Sequence, residues 1–375
     1  MFMEVLAFSI AQGATQDAGW IFQLIWIIAL IVIWIYGQRI QTVLMLREIE
    51  GSLRKLKVMR DKGRQMAISA INEVGKPVED LETRVDRLLE HVDIDPVTLD
   101  PTGVIRRLEH IIDVREFKLK DEVKRIVPNA DETQINNLTN VLEAALALNQ
   151  IYKIVRHYYL MGKKTLSFYI ILQIQMLLPL IMRESEAFIR ALRAFTLGQP
   201  IGDGAGALVA ARLMYGKPKR LIASNTVVSE VEIEGRRAYV IKAKGPGGNV
   251  GKPGEAIKQI LEEEEGRIAL MIIIDAAQKL EGEKTGEVVE GVGAAIGGPG
   301  VDKYKVEEIA TKYGVPFYAI LIKEGIEDVI STMRKEIVDG VEEAIGRIKR
   351  IIRENTVEGD TVIIAGIGNT IGISQ

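Results

Sequence analysis

The chain has 375 residues, with 48 Lys plus Arg against 51 Asp plus Glu and a net charge of −3. Near-neutrality excludes a dedicated nucleic-acid binder, which needs a strong basic excess. Cys is absent, which excludes disulfides, thiolate metal sites and cysteine nucleophiles, and three His leave little room for a His-rich metal centre.

The mean hydropathy is +0.12 although 26% of residues are charged, so the apolar residues must be concentrated somewhere. The first concentration is residues 18–38, 21 residues without a charge. At about 1.5 Å per residue this is roughly 30 Å of helix, the thickness of a hydrocarbon core. Trp20, Trp34 and Tyr36 lie near its ends, as aromatic belts do. No basic stretch precedes it and no small-x-small cleavage site comes after it, so a retained transmembrane helix is expected rather than a signal peptide. Residues 1–17 carry Glu4 and Asp17 and no basic group, whereas residues 39–64 carry eight basic and three acidic groups. The positive-inside rule then predicts a single-pass protein of the cell membrane, with 1–17 outside and the C-terminal domain cytoplasmic. Residues 18–38 would contact lipid, and the basic juxtamembrane stalk 39–64 would face anionic headgroups.

Within 39–64, Ile40, Val43, Leu46, Ile49, Leu53 and Leu56 recur every three or four residues. This spacing fits a self-associating coiled-coil stalk or one helix of a bundle. Residues 65–196 read as a helical domain, with turns at 75–77, 95–96, 100–103 and 128–129. Asp131 is placed as an N-cap. His91, His110 and His157 are widely spaced and read as surface or bundle residues. Residues 165–182 form a second uncharged run, interrupted by Gln173, Gln175 and Pro179. Either a buried or membrane-surface helix or a second span reads this way.

From residue 197 Gly becomes frequent and β-branched runs appear. RRAYVIKA (236–243), RIALMIII (267–274), PFYAILI (316–322) and TVIIA (361–365) read as strands. Residues 225–233, with a turn at Gly235, can form a hairpin with the first. Helical patterns at 254–265, 302–313 and 326–355 alternate with the strands. The expected fold of 197–375 is therefore an α/β domain with a parallel sheet, Rossmann-like and three-layered. Asp302 is expected to cap the second helix, and Gly314 followed by Pro316 to end it.

Four Gly-rich stretches stand out. GDGAGA (202–207) matches a dinucleotide fingerprint, but a helical pattern precedes it where a strand is required, so it reads as the lead-in to a helix. GPGGNVGKP (245–253) resembles a phosphate loop and fails in detail: Pro246 stands where Gly is needed, and Pro253 replaces the Mg²⁺-binding Ser or Thr. It still lies between a strand and a helix, and its free N–H groups with Lys252 suit an anion. GVGAAIGGPG (291–300) belongs to a long loop, 275–301, with a short helix expected around 285–294. GIGNTIG (366–372) comes directly after the last strand.

Ligands of parallel sheets bind beyond the carboxyl ends of the strands. Those ends deliver Asp275, Lys279, Glu281, Glu283, Lys284 and Thr285; Lys323, Glu324 and Gly325; Gly366, Gly368, Asn369 and Thr370; and Lys244, Gly247, Gly248, Asn249 and Lys252. A carboxylate at the end of a buried strand is costly without a partner. Asp275 is therefore either paired with Lys279 or Lys284, a proton acceptor, or a metal ligand. Asp275, Glu281 and Glu283 suit Mg²⁺. Gly247, Gly248, Asn249, Lys252, Gly366, Gly368, Asn369 and Thr370 are the ligand-binding candidates.

The stretches 272–310 (IIIDAAQKLEGEKTGEVVEGVGAAIGGPGVDKYKVEEIA) and 362–373 (VIIAGIGNTIGI), with the apolar N-terminal segment, resemble the domain-of-unknown-function family 1512 over nearly the whole chain. The resemblance implies an archaeal membrane protein and supplies neither an activity nor catalytic residues. Abundant Ile, Lys and Glu and the lack of Cys fit a thermophilic source. Two functions are expected from the residues: an α/β domain that binds an anionic small molecule, such as a nucleotide or phosphate compound with a divalent metal, or a homo-oligomeric scaffold without catalysis.

Overall fold

The computed structural model describes residues 19–75, 80–92 and 103–374. Residues 1–17, and the turns expected within 76–79 and 93–102, lie outside the described residues. The chain divides into two units, residues 1–55 with 152–181 and residues 56–151 with 182–375.

The first unit holds the beginning of α1 (Gly19–Val74), the end of α4 (Glu132–Thr165) and the beginning of α5 (Phe168–Leu197). Ile49 and Ile171 are fully buried here, and Gln175 Nε2 donates to Glu48 Oε2 at 2.6 Å. Among the described residues no helix is long and apolar enough to cross a membrane. This corrects the expected anchor at 18–38 and the single-pass localisation built on it. The apolar run is not a bounded segment: it opens a 56-residue helix that continues unbroken through Arg39, Arg47 and Arg54. The run 165–182 is no span either. It breaks between α4 and α5, and α5 is two-faced: Ile171, Ile174 and Leu178 are buried while Tyr169 and Met176 are exposed.

The second unit combines a helical bundle with a sheet. The end of α1, α2 (Leu81–Leu89), α3 (Val104–Ile126), the first part of α4 and the end of α5 close around Ile71, Val85, Ile126, Leu142, Leu148 and Leu192. Asp131 caps α4 as expected. Gln134 N–H donates to Asp131 Oδ1 at 2.8 Å, and Asp131 N–H donates to Gln134 Oε1 at 2.9 Å. This reciprocal pair satisfies donors that the first turn leaves open.

The sheet has seven strands: β1 (Arg220–Ala223), β2 (Thr226–Ile233), β3 (Arg236–Ala243), β4 (Leu270–Gln278), β5 (Val288–Val292), β6 (Phe317–Glu324) and β7 (Thr361–Gly366), in the order β1-β2-β3-β7-β4-β6-β5. The inner ladders β3–β7, β7–β4 and β4–β6 are parallel, while β1–β2, β2–β3 and β5–β6 are antiparallel. The expected parallel, Rossmann-like sheet is thus corrected to a mixed one. For β1–β2 and β2–β3 two-residue connections are the physical reason, since a tight turn can join only antiparallel strands. Glu234 and Gly235, both at positive φ, turn β2 into β3. The loop 275–301 contains no helix at 285–294; its Val-rich segment pairs with the open edge of β6 instead. Helices α6 (Ala205–Leu213) and α10 (Lys335–Asn355) cover one face of the sheet, and α7 (Pro253–Glu263) and α8 (Val301–Tyr313) cover the other. A short α9 (Ile326–Val329) comes after β6. Inner-strand residues such as Ile272, Ile274, Ile320 and Ile364 are fully buried, as a doubly covered sheet requires.

Candidate functional site

β4 starts three residues later than its apolar run and continues to Gln278, so Asp275 lies within the strand, its Cα opposite Leu321 of β6. Side chains alternate along β4. Ile272 and Ile274 join the α6–α10 core, while Ile273 joins the α7–α8 core, which sends Asp275 to the α7–α8 face. There it opens on a cavity of about 340 Å³. Asp203 from the turn before α6, Gly368 after β7, Lys252 before α7, the loop 296–300 and Glu109 and Glu116 of α3 complete its wall.

Two glycines explain how Asp203 reaches Asp275. A Cβ on Gly206 would stand 2.3 Å from the Ile274 carbonyl oxygen and 2.5 Å from that of Ile367. Only Gly lets the start of α6 press onto the ends of β4 and β7. Gly368 has a φ of +119° and lies against the Asp203 carbonyl, and the next residue, Asn369, donates its N–H to Asp203 Oδ2 at 2.7 Å.

The electrostatics of the cleft are divided. Its acidic pole is Asp203 and Asp275. Asp275 accepts from Ala276 N–H at 2.8 Å and Gly297 N–H at 3.0 Å, yet burial, and next the nearby Asp203 charge, push its carboxyl up to about 7. Burial also raises Asp203, against the Asn369 bond that lowers it. Neither carboxylate pairs with a cation among the described residues. Behind them Glu324 ends β6 on the opposite face, fully buried with both carboxylate oxygens unbonded, and is pushed up to about 8 by burial and by Asp203, Asp328 and Asp275.

The opposite pole is the start of α8. The first-turn amides of Val301, Asp302 and Lys303 have no partner among the described residues, and the helix dipole adds partial positive charge there. Gly300 supplies the left-handed N-cap, with φ +90°. Asp302 caps α7 rather than its own helix: Gly254 N–H donates to its Oδ1 at 3.0 Å. Lys252 stands nearby and is held by Asp113; burial lowers its pKa, and the Asp113 bond together with the charges of Asp113, Asp302 and Glu116 raises it by more.

The predicted site residues separate into groups. Asp275, Lys252 and Gly368 line the cleft. Asn249 and Asn369, with Gly248, line a neighbouring cavity of about 240 Å³ across the segment 250–252, in which the buried Asn249 Oδ1 has no partner. Thr370 is fully buried and bonds the carbonyls of Gly247 and Asn249, so Thr370 and Gly247 shape the loop. Gly366 packs on the Gly206 carbonyl behind the cleft. Lys279, Glu281, Glu283 and Lys284 occupy the turn after β4, outside the cleft; Glu283 accepts from Leu280 N–H at 2.7 Å and pairs with Lys323 at 3.3 Å. The set Asp275, Glu281 and Glu283 is therefore not brought together. Among the described residues no group of three or more His, Cys, Asp or Glu is arranged to hold a metal ion. Sequence reasoning missed Asp203, because GDGAGA was weighed only as a dinucleotide fingerprint or as a Gly-rich lead-in to a helix. The available signal was an Asp flanked by glycines directly before a helix.

Comparison with known families gives two matches. Residues 23–198 match a protein of unknown function (DUF1512) N-terminal domain, and residues 201–374 match a domain of unknown function (DUF1512) C-terminal. A search of curated proteins returned no match. The two matches span nearly all of the chain, which therefore belongs to the DUF1512 family.

Proposed function

We propose that this member of the DUF1512 family binds a small phosphate-bearing molecule together with Mg²⁺ in the cleft beyond β4 and β7. The observation that carries this reading is the pairing of two poles in one cavity: unpaired carboxyls at Asp203 and Asp275, and unpaired first-turn amides at the start of α8. Helix starts favour phosphate oxygens. Mg²⁺ commonly takes one or two protein carboxylates and completes its shell with water and substrate phosphate. A two-carboxylate site is thus in keeping with the lack of a complete protein cage among the described residues. Asp275, pushed up to about 7 by burial and the nearby Asp203 charge, would give up its proton on binding Mg²⁺.

Differential scanning fluorimetry with pyrophosphate, nucleoside diphosphates and orthophosphate, each with and without Mg²⁺, tests the reading. A ligand at a hundred times its Kd stabilises by about 2.7 kcal/mol. The reading expects Mg²⁺-dependent stabilisation that Asp275→Asn removes. Equal melting with and without every ligand would overturn it.

A second reading rests on a separate observation. Residues 21–32 of α1 are apolar except for Gln23 and, apart from the half-buried Ala29, are exposed, for example Ile25 at 55% and Leu30 at 58%. A helix of that kind needs cover, and a second copy of the same segment would supply it, making the protein a homo-oligomer. Sedimentation showing only monomer at micromolar concentration would refute this.

A further inference from the structure

We propose that a second concavity, between the end of α5 and the segment 327–334, binds the oligophosphate group of a small molecule. It has a volume of about 590 Å³ and shares no lining residue with the cleft. Three guanidiniums converge on it. Arg190 and Arg193 are one turn apart on α5, so they lie on one helix face. Arg334 comes from the residue before α10.

These three are not in equal states. Arg334 is divided between Asp328 at 3.3 Å and Glu336 at 3.1 Å. Among the described residues Arg190 hydrogen-bonds only to the neutral Ser331 Oγ, at 3.3 Å from its Nε. Among the described residues neither Arg190 nor Arg193 pairs with a carboxylate. Gln199 accepts from Thr332 Oγ1 at 3.1 Å, which leaves its amide nitrogen as a further donor. Glu327 and Asp328 are the acidic groups of the wall, and Asp328 is already taken by Arg334 and by Thr285 Oγ1 at 2.9 Å.

Elsewhere in this chain some arginines are matched by acids: Arg64 holds Glu82 and Asp86, and Arg347 holds Glu290 and Glu343. Two unmatched guanidinium forks beside a third describe a receptor for several anionic oxygens spread along a groove. A fork binds phosphate oxygens in pairs, which an ammonium cannot do. A chain of phosphates can offer oxygens to each of the three arginines, so an oligophosphate is the occupant that fits. The site does not depend on the cleft reading.

Isothermal titration calorimetry in EDTA, with tripolyphosphate and with ATP, tests the proposal. Both probes bind wild type with similar affinity, because the phosphates are what is recognised, and raising the ionic strength weakens both. Arg190→Ala and Arg193→Ala each weaken binding about tenfold, the loss of one charge-assisted contact. Arg193→Lys restores part of the affinity only, and Asp275→Asn changes nothing. Because Arg193→Lys keeps the charge and most of the stem, it separates lost recognition from lost folding, and the melting temperature of each variant is read alongside. The proposal is overturned if neither probe binds. It is equally overturned if ATP binds and tripolyphosphate does not, or if Asp275→Asn abolishes binding that both Arg→Ala variants retain.

Discussion

Glu324→Gln should stabilise the protein, by an amount that depends on pH. Both Glu324 oxygens are buried and unbonded, and a Cβ on Gly202 would stand 2.1 Å from Oε2. Burial comes first, and then the charges of Asp203, Asp328 and Asp275, in pushing this carboxyl from 4.5 up to about 8. A group whose folded pKa is raised contributes its full stability only below its unfolded pKa, and loses it as pH rises toward the folded value. For Glu324 the loss begins near 4.5 and is complete above about 8. At about 1.36 kcal/mol per pKa unit, keeping this carboxyl buried costs roughly 3 kcal/mol at pH 7, where it is held protonated, and roughly 5 kcal/mol above pH 8, where it ionises. Gln has the same shape and no charge, and it sacrifices no hydrogen bond because Glu324 makes none. The substitution should therefore be near neutral at about pH 4, then raise the melting temperature by several degrees at pH 7 and by more at about pH 8.5. Scanning fluorimetry of both proteins across that range measures it. A pH-independent difference, or a Gln variant less stable than wild type at about pH 8.5, would refute the argument that this carboxyl is buried without a partner.

Two further substitutions probe the frame around the cleft. Gly206→Ala places a methyl against two backbone oxygens that cannot swing away. It should cost about 2 kcal/mol or more in chemical denaturation and abolish binding in the cleft, because Asp203 rides on the displaced turn. Lys242 is fully buried in β3, donates only to the Ala243 carbonyl at 2.9 Å, and is lowered from 10.5 to about 8, by burial first and then by Lys219. Its charging cost is fully present below about pH 8 and disappears toward 10.5. Lys242→Met should thus stabilise by roughly 3 kcal/mol at pH 7, with the gain fading by pH 10 in the same melting assay.

The strands of the second unit were readable because a doubly covered sheet needs continuous apolar runs, and 361–365 and 316–322 are such runs. The β2–β3 hairpin was readable from Gly235. Asp275 was readable as a carboxylate in an apolar setting, although β4 extends past it. Three things were hidden, each for a physical reason. Hydropathy counted residues 18–38 as a bounded span, but the end of a helix is set by the residues after it, and α1 runs on to Val74. β5 was hidden because pairing with the edge of β6 is a long-range contact. Asp203 was hidden because its importance comes from its bond with Asn369 and its charge beside Asp275, which lie far along the chain.

The central claim is that Asp203 and Asp275 share a cation with a phosphate ligand. Mn²⁺ electron paramagnetic resonance, titrated with pyrophosphate into wild type and into Asp203→Asn and Asp275→Asn, tests this directly. Wild type should deplete the free Mn²⁺ signal at one equivalent, more tightly when pyrophosphate is present, and each Asn variant should lose this binding. A free Mn²⁺ signal that responds identically in all three proteins would contradict the claim.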